Sequence, residues 1–148
     1  MALEIRPFRP EDRDELLDVW EADNRLGHPF FDEAELVARR RRLIEVYLPA
    51  SESWVAWGEG RIVGGIGLDG AFVGDLFVDP AHHRRGIGRR LLDHATALKG
   101  PLALEVYVAN PAVRRFYDRC GFMAVERREV DDHGRPWPVV VMVRPRHP

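Results

Sequence analysis

Three short stretches of the 148-residue chain combine residue types that could do chemistry. The first is His83-Arg84-Arg85-Gly86-Ile87-Gly88-Arg89, between a run with strand alternation and a run with helical periodicity. Free N–H groups at a helix start bind anions, glycines let a bulky group approach the backbone, and arginines add charge-assisted hydrogen bonds. The stretch therefore reads as a phosphate or pyrophosphate cradle, with a plain basic loop as the competing reading. It has no Gly-Lys-Ser/Thr ending, so it is not a nucleoside-triphosphate P-loop. Leu91 stands where a dinucleotide fingerprint needs a third Gly or Ala.

The second stretch is Leu102 to Val108, where Leu102, Leu104, Val106 and Val108 share one strand face and Ala103, Glu105 and Tyr107 the other. A carboxylate in so apolar a strand must be paired or take a proton. Glu105 is thus either one half of a salt bridge or a general base with a raised pKa. Asp75, on the strand before the Gly turn, could lie alongside and raise it further. The third stretch starts at Asn110-Pro111, an N-cap followed by proline at the first helical position, and carries Tyr117 two turns on.

These residues need a scaffold, and the rest of the chain supplies its outline. Leu3 to Phe8 alternates as a strand, and Pro10-Glu11-Asp12 opens a helix that Gly27-His28-Pro29 breaks. Asp32 followed by Glu35 resembles a capping box for a second helix running to about Leu48. Trp54 to Trp57, Arg61 to Leu68 and Ala71 to Val78 read as strands joined by tight turns. A helix begins at Gly86 with a stripe of Ile87, Leu91, Leu92, Ala95 and Leu98, and the chain closes with a hairpin of Phe122–Val130 and Trp137–Val143. The order β α α β β β α β α β β predicts a mixed α/β fold, one domain over residues 1–148, with a βαβ crossover late in the chain.

Composition narrows the function classes. Lys plus Arg is 22 and Asp plus Glu 24, a net charge of -2 that speaks against a nucleic-acid binder. Cys120 is the one cysteine, so neither an internal disulfide nor a cysteine zinc site is expected. His82-His83 lacks the carboxylate spacing of a metal site, and no metal is expected. With no apolar leader and no run of bilayer length, the expectation is a cytoplasmic protein without membrane contact.

Two spaced signatures in the right order resemble the GCN5-related N-acetyltransferase (GNAT) superfamily. One is Leu76-Phe77-Val78-Asp79-Pro80 followed by His83-Arg84-Arg85-Gly86-Ile87-Gly88, with His83 where the family has Gln or Arg. The other is Asn110, Ala112, Phe116-Tyr117 and Gly121-Phe122. Gly27-His28-Pro29-Phe30 and Asp131-Asp132-x-Gly-x-Pro look like a group of small bacterial acetyltransferases, some of which act on protein lysines. Leu104-Glu105-Val106 with Asn110 and Tyr117 is also similar to the ribosomal-protein N-terminal acetyltransferases.

The resemblance implies a GNAT acyl-CoA N-acyltransferase fold and acetyl transfer from acetyl-CoA to a primary amine, by direct attack through a tetrahedral intermediate. Leu76, Phe77 and Val78 would pair with the pantetheine arm. Arg84, Arg85, Gly86, Ile87, Gly88 and Arg89 would hold the pyrophosphate, and Asn110 would bond the cofactor. Tyr117 would stand near the sulfur as general acid, with Glu105 as the base. His28, Phe30 and Phe31, in the joint between the first two helices, together with Asp75 and Trp137 are the candidate acceptor-pocket residues. The acceptor would be a protein lysine, an N-terminus or a small amine, and the chain a monomer or homodimer. Rival readings are a non-catalytic acyl-CoA-binding module and a nucleotide binder using the same Gly turn. The Arg39–Arg42 run is read as a solvated face, or as a lure for an acidic acceptor or the CoA phosphates.

Overall fold

The computed structural model describes residues 2–145. A seven-stranded sheet runs through them in the order β1-β2-β3-β4-β5-β7-β6. The strands are β1 (Leu3–Pro7), β2 (Glu52–Gly58), β3 (Arg61–Asp69), β4 (Phe72–Val78), β5 (Leu102–Tyr107), β6 (Met123–Arg128) and β7 (Val139–Arg144). Neighbours are antiparallel except β4 and β5, which the crossover helix α4 (Ile87–Lys99) makes parallel. This is the mixed α/β fold and the late βαβ unit expected from the element order.

The feature that matters most for function is where β4 and β5 part. Their only paired position is Phe72↔Ala103, sealed by Ala103 N–H donating to Ala71 O at 3.0 Å. Beyond it the strands diverge, and the sheet splits along Gly74–Val78 on one side and Leu104–Tyr107 on the other. A strand edge left inside a sheet exposes N–H and C=O groups that require partners.

Helices cover both faces of the sheet. One face packs Ile87, Leu91, Leu92 and Ala95 of α4 and Tyr117 of α5 (Pro111–Arg119) against Val73, Leu102, Leu104 and Val106. On the other, Leu16, Leu17, Val19 and Trp20 of α1 (Arg13–Gly27) lie against Val55, Ile62 and Phe77. Each of these large side chains contributes about 1.5–3 kcal/mol by leaving water. The strand alternation is the one read from sequence: Leu102, Leu104 and Val106 are buried toward α4, which turns Glu105 and Tyr107 to the α1 side.

The second helix departs from expectation. α2 (Glu33–Arg42) is capped by Asp32, whose carboxylate accepts from Glu35 N–H at 2.8 Å, but Glu35's own carboxylate goes to Arg39. The chain then widens into a π turn (Leu43–Tyr47), with Leu48 N–H reaching back to Leu43 O, before the one-turn α3 (Leu48–Ala50). The wider turn re-phases the segment, so Leu43, Ile44, Tyr47 and Leu48 all meet the α1-side core. Among the described residues, no helix is long and apolar enough to cross a membrane.

Candidate active site

The split opens into a cavity of about 740 Å³. Its walls carry most of the residues that the sequence singles out: Leu76, Phe77, Val78, Asp75, Glu105, Asn110 and Tyr117, with Arg84, Gly86, Ile87 and Gly88 at one end and His28 and Phe31 at the other. Phe30 and Trp137 are not in the wall. They stack with His28, Phe31 and Tyr107 into an aromatic cluster behind it, ring centroids 5.3 Å apart for Phe30–Trp137 and 5.5 Å for Phe31–Trp137.

Backbone geometry sorts the three β4 residues. Asp79 N–H donates to Val63 O on β3 at 2.8 Å. Successive N–H groups alternate sides, so Phe77 N–H also faces β3, and those of Leu76 and Val78 face the split. Phe77 contributes its side chain to the α1-side core instead. An amide-bearing ligand along this edge would therefore pair at Leu76 and Val78.

The Gly turn has the conformation an anion cradle needs. Gly86 is the left-handed N-cap of α4 (φ +77°), and Arg84 is also left-handed (φ +65°). The first-turn N–H groups of α4 have no partner inside the helix and point at the turn. Gly88 also has a packing reason: a Cβ there would stand 3.0 Å from the Phe116 ring, so the absence of a side chain lets α5 pack close. Arg85 reaches Glu59 at 3.4 Å, and Arg89 donates to Arg119 O at 2.7 Å.

Asn110 is buried and largely committed within the protein. Its Oδ1 accepts from Val113 N–H at 3.2 Å, and its Nδ2 donates to Gly27 O. It locks the end of α1 to the start of α5, leaving one N–H and one lone pair for a ligand.

The two candidate bases differ sharply. One Glu105 oxygen accepts from Arg128 at 3.2 Å, and the other, Oε1, is enclosed without a hydrogen bond. Burial raises its pKa, and Asp132 adds to the effect. Asp75 sits on β4 with Phe77's orientation, toward α1. Burial pushes its pKa up to about 7, the charges of Asp23 and Asp132 add to this, and Leu76 N–H and the Trp20 indole pull it part-way back. Tyr117 is buried between Phe116 and Phe122, at centroid distances of 5.1 and 5.4 Å. Burial raises its phenol pKa, and the next causes are Asp75 and Asp23. The charges that act on Tyr117 are thus those of Asp75 and Asp23, whereas Glu105 answers to Asp132, Arg128 and Asp131.

Several wall residues carried no signal in the sequence. Asp23 of α1 bonds the β4 edge, and its partner could not be read from periodicity. Tyr107 stands on the Glu105 face as alternation predicts, but nothing in the sequence assigned it a role in the site. Arg39 is buried rather than solvated: it donates to Tyr107 Oη at 2.6 Å and Asp131 Oδ2 at 2.8 Å, and lies 4.1 Å over the Phe31 ring. His28 is half-buried nearby, and desolvation with the Arg39 charge pushes its pKa down to about 4. Cys120 is a packed core residue, and the described residues contain no cluster suited to a metal ion.

Comparison with known proteins agrees with this architecture. Residues 49–124 match the family model described as an acetyltransferase (GNAT) domain. The chain is 33% identical over 146 residues to the peptidyl-lysine N-acetyltransferase YjaB of Salmonella typhimurium, covering 98% of this chain and 100% of that one. The solution structure of apo YjaB from Escherichia coli superposes with a TM-score of 0.87 at 32% identity, over 97% of this chain and 98% of that one. The PaiA N-acetyltransferase of Thermoplasma acidophilum, solved with coenzyme A, shares the fold at a TM-score of 0.78 and 17% identity, over 98% and 99% of the two chains. On the match to the family model and to full-length relatives, the chain belongs to the GNAT family as an acetyl-CoA-dependent N-acetyltransferase.

Proposed function

We propose that this chain acetylates the side-chain amine of lysine in a protein or peptide, with Asp75 as the proton acceptor and Tyr117 as the proton donor. The observation that carries the reading is the half-buried Asp75 carboxyl. It lies on the open β4 edge, titrates near pH 7, and is electrostatically coupled to Tyr117. The acceptor class is supported by the 33%-identical relative, a peptidyl-lysine N-acetyltransferase.

The residues present suit acetyl-CoA. Leu76 and Val78 offer the edge, Gly86 and the first turn of α4 offer N–H groups for the pyrophosphate, and Arg84 borders the same space. When bound, acetyl-CoA supplies an acyl group already activated as a thioester. A lysine amine arrives as an ammonium, pKa about 10.4, and must lose a proton before it can attack. Asp75 can take that proton because its own pKa lies near the working pH. Glu105 is the weaker base: one oxygen is held by Arg128 and the other is closed off. Tyr117, with its pKa raised, keeps its proton at neutral pH and can donate it toward the departing sulfur.

A small-molecule amine is the second reading, since about 740 Å³ falls within the range of small-ligand pockets. Thiol release measured against lysine peptides, peptides with only an N-terminal amine, and diamines separates these acceptors. Turnover on lysine peptides, abolished in D75N and retained in E105Q, is the expected result. Turnover confined to diamines would remove the peptide reading, and loss in E105Q alone would remove Asp75 as the base. Melting with CoA, NAD and ATP tests the rival classes: NAD or ATP stabilising the protein where CoA does not would overturn the cofactor assignment.

A further inference from the structure

The open edge of β4 is already paired at one residue, by side chains. Val78 N–H, which faces the split, donates to Asp23 Oδ2 at 3.1 Å. Asp23 lies 55 residues earlier, near the end of α1. Its other oxygen, Oδ1, is 2.9 Å from His83 Nε2, and the same nitrogen is 3.0 Å from Val78 O. Both oxygens are acceptors, so Nε2 carries the ring proton and shares it between them. Val78 thus has an acceptor on its N–H and a donor on its C=O, which is what one facing residue of a neighbouring antiparallel strand would provide from its two flanking amides.

We propose that the Asp23–His83 pair is a built-in stand-in for the C=O and N–H that successive amides of the acyl-carrier arm would present, held on Val78 when the site is empty and displaced when the arm binds. The inference rests on the reading of the β4 edge as the carrier site. Three features support it. The pair joins two elements that border the cavity, α1 and the segment ahead of the Gly turn, so its release frees both sides of the entrance at once. Both side chains retain access to water, with the Asp23 side chain 21% and that of His83 38% exposed, so each can swing out without being stranded in an apolar interior. Asp23 also belongs to the same wall as Asp75 and acts on both Asp75 and Tyr117. Displacing it from Val78 releases a carboxylate beside the groups that meet the cationic acceptor.

The consequence is unusual for a residue in a binding site: removing it should tighten binding. Arm and carboxylate compete for one N–H, so the carrier's affinity is reduced by the fraction of protein in which the pair is closed. Calorimetric titration of CoA into the full chain reads this directly. D23A and H83A are each expected to lower the Kd for CoA by about 3- to 10-fold, and the double variant to gain little beyond D23A, because the two side chains act as one unit. Amide exchange at Val78 in the CoA-free protein should be faster in D23A and slowed again by CoA.

Unchanged or weaker CoA binding in D23A and H83A, beside normal binding by the wild type, overturns the proposal and leaves the cofactor reading intact. Absence of CoA binding in wild type and both variants overturns the two together. D23N keeps the size of the side chain and removes its charge, so it serves if D23A fails to fold. The same tightening, smaller in size, is expected, and equal or weaker CoA affinity again overturns the proposal.

Discussion

Arg39 donates to Asp131 at 2.8 Å although 92 residues separate them, and both side chains are almost wholly buried. Tyr107 Oη completes the unit, accepting from Arg39 at 2.6 Å and donating to Asp131 at 2.8 Å. Asp131 also accepts from the N–H groups of His133 and Arg135, so the unit pins the β6–β7 connection to α2 and β5. Burying a charge pair is costly, and breaking one half leaves the other uncompensated. R39A is therefore expected to lose about 3–5 kcal/mol in urea denaturation. A loss under 1 kcal/mol, the level of a surface pair, would show that water replaces the guanidinium freely.

Asp75 should set the lower pH limit of activity. Only its ionised form accepts a proton, so kcat/KM is expected to rise with pH and level off above about 7. D75N should lower kcat/KM by about 10²- to 10⁴-fold and abolish that limb. An identical limb in D75N would assign it to another group.

The same carboxyl should weaken the fold as pH rises. Its folded pKa lies above the unfolded value of 3.8, so the native state binds the extra proton between about pH 4 and 7. Stability is lost across that window, by up to about 4 kcal/mol. D75N removes the penalty: it should melt higher than wild type at pH 8 and close to it at pH 4. A lower melting temperature at pH 8 would contradict the burial of a charged group at this position.

Tyr117 is expected to affect chemistry more than binding. Y117F keeps the ring against Phe116 and Phe122 and removes only the proton donor. A fall in kcat of about 10- to 100-fold, with CoA affinity within about threefold of wild type, is the predicted pattern. Loss of CoA affinity with kcat unchanged would assign the phenol to binding.

The two glycines of the cradle should fail in different ways. G86A meets open space but a left-handed backbone, a cost of about 1–2 kcal/mol that should appear as lower stability and weaker CoA binding. G88A has an ordinary backbone but drives its Cβ to 3.0 Å from Phe116. It should displace α5 and hence Tyr117, lowering kcat more than CoA affinity. Equal effects of both substitutions on the two quantities would show that the turn acts as one body.

The sequence by itself determined what depends on near neighbours along the chain. Alternation set Glu105 and Tyr107 on one face of β5, and Asn110-Pro111 began α5 where expected. Gly86 marked the start of α4, and two spaced signatures pointed to the family. Such features follow from sterics and hydrogen bonds spanning a few residues. Only the tertiary structure decided which elements meet. It placed Asp23 of α1 on Val78, and it made Asp75 and Asp23, not Glu105, the carboxylates whose charges act on Tyr117. It also buried Arg39 out of a run that reads as solvated, and used Gly88 to admit Phe116. Each outcome depends on how far apart β4 and β5 splay and how α1 and α5 settle over the gap. That packing joins residues up to 92 positions apart, beyond the reach of any local pattern.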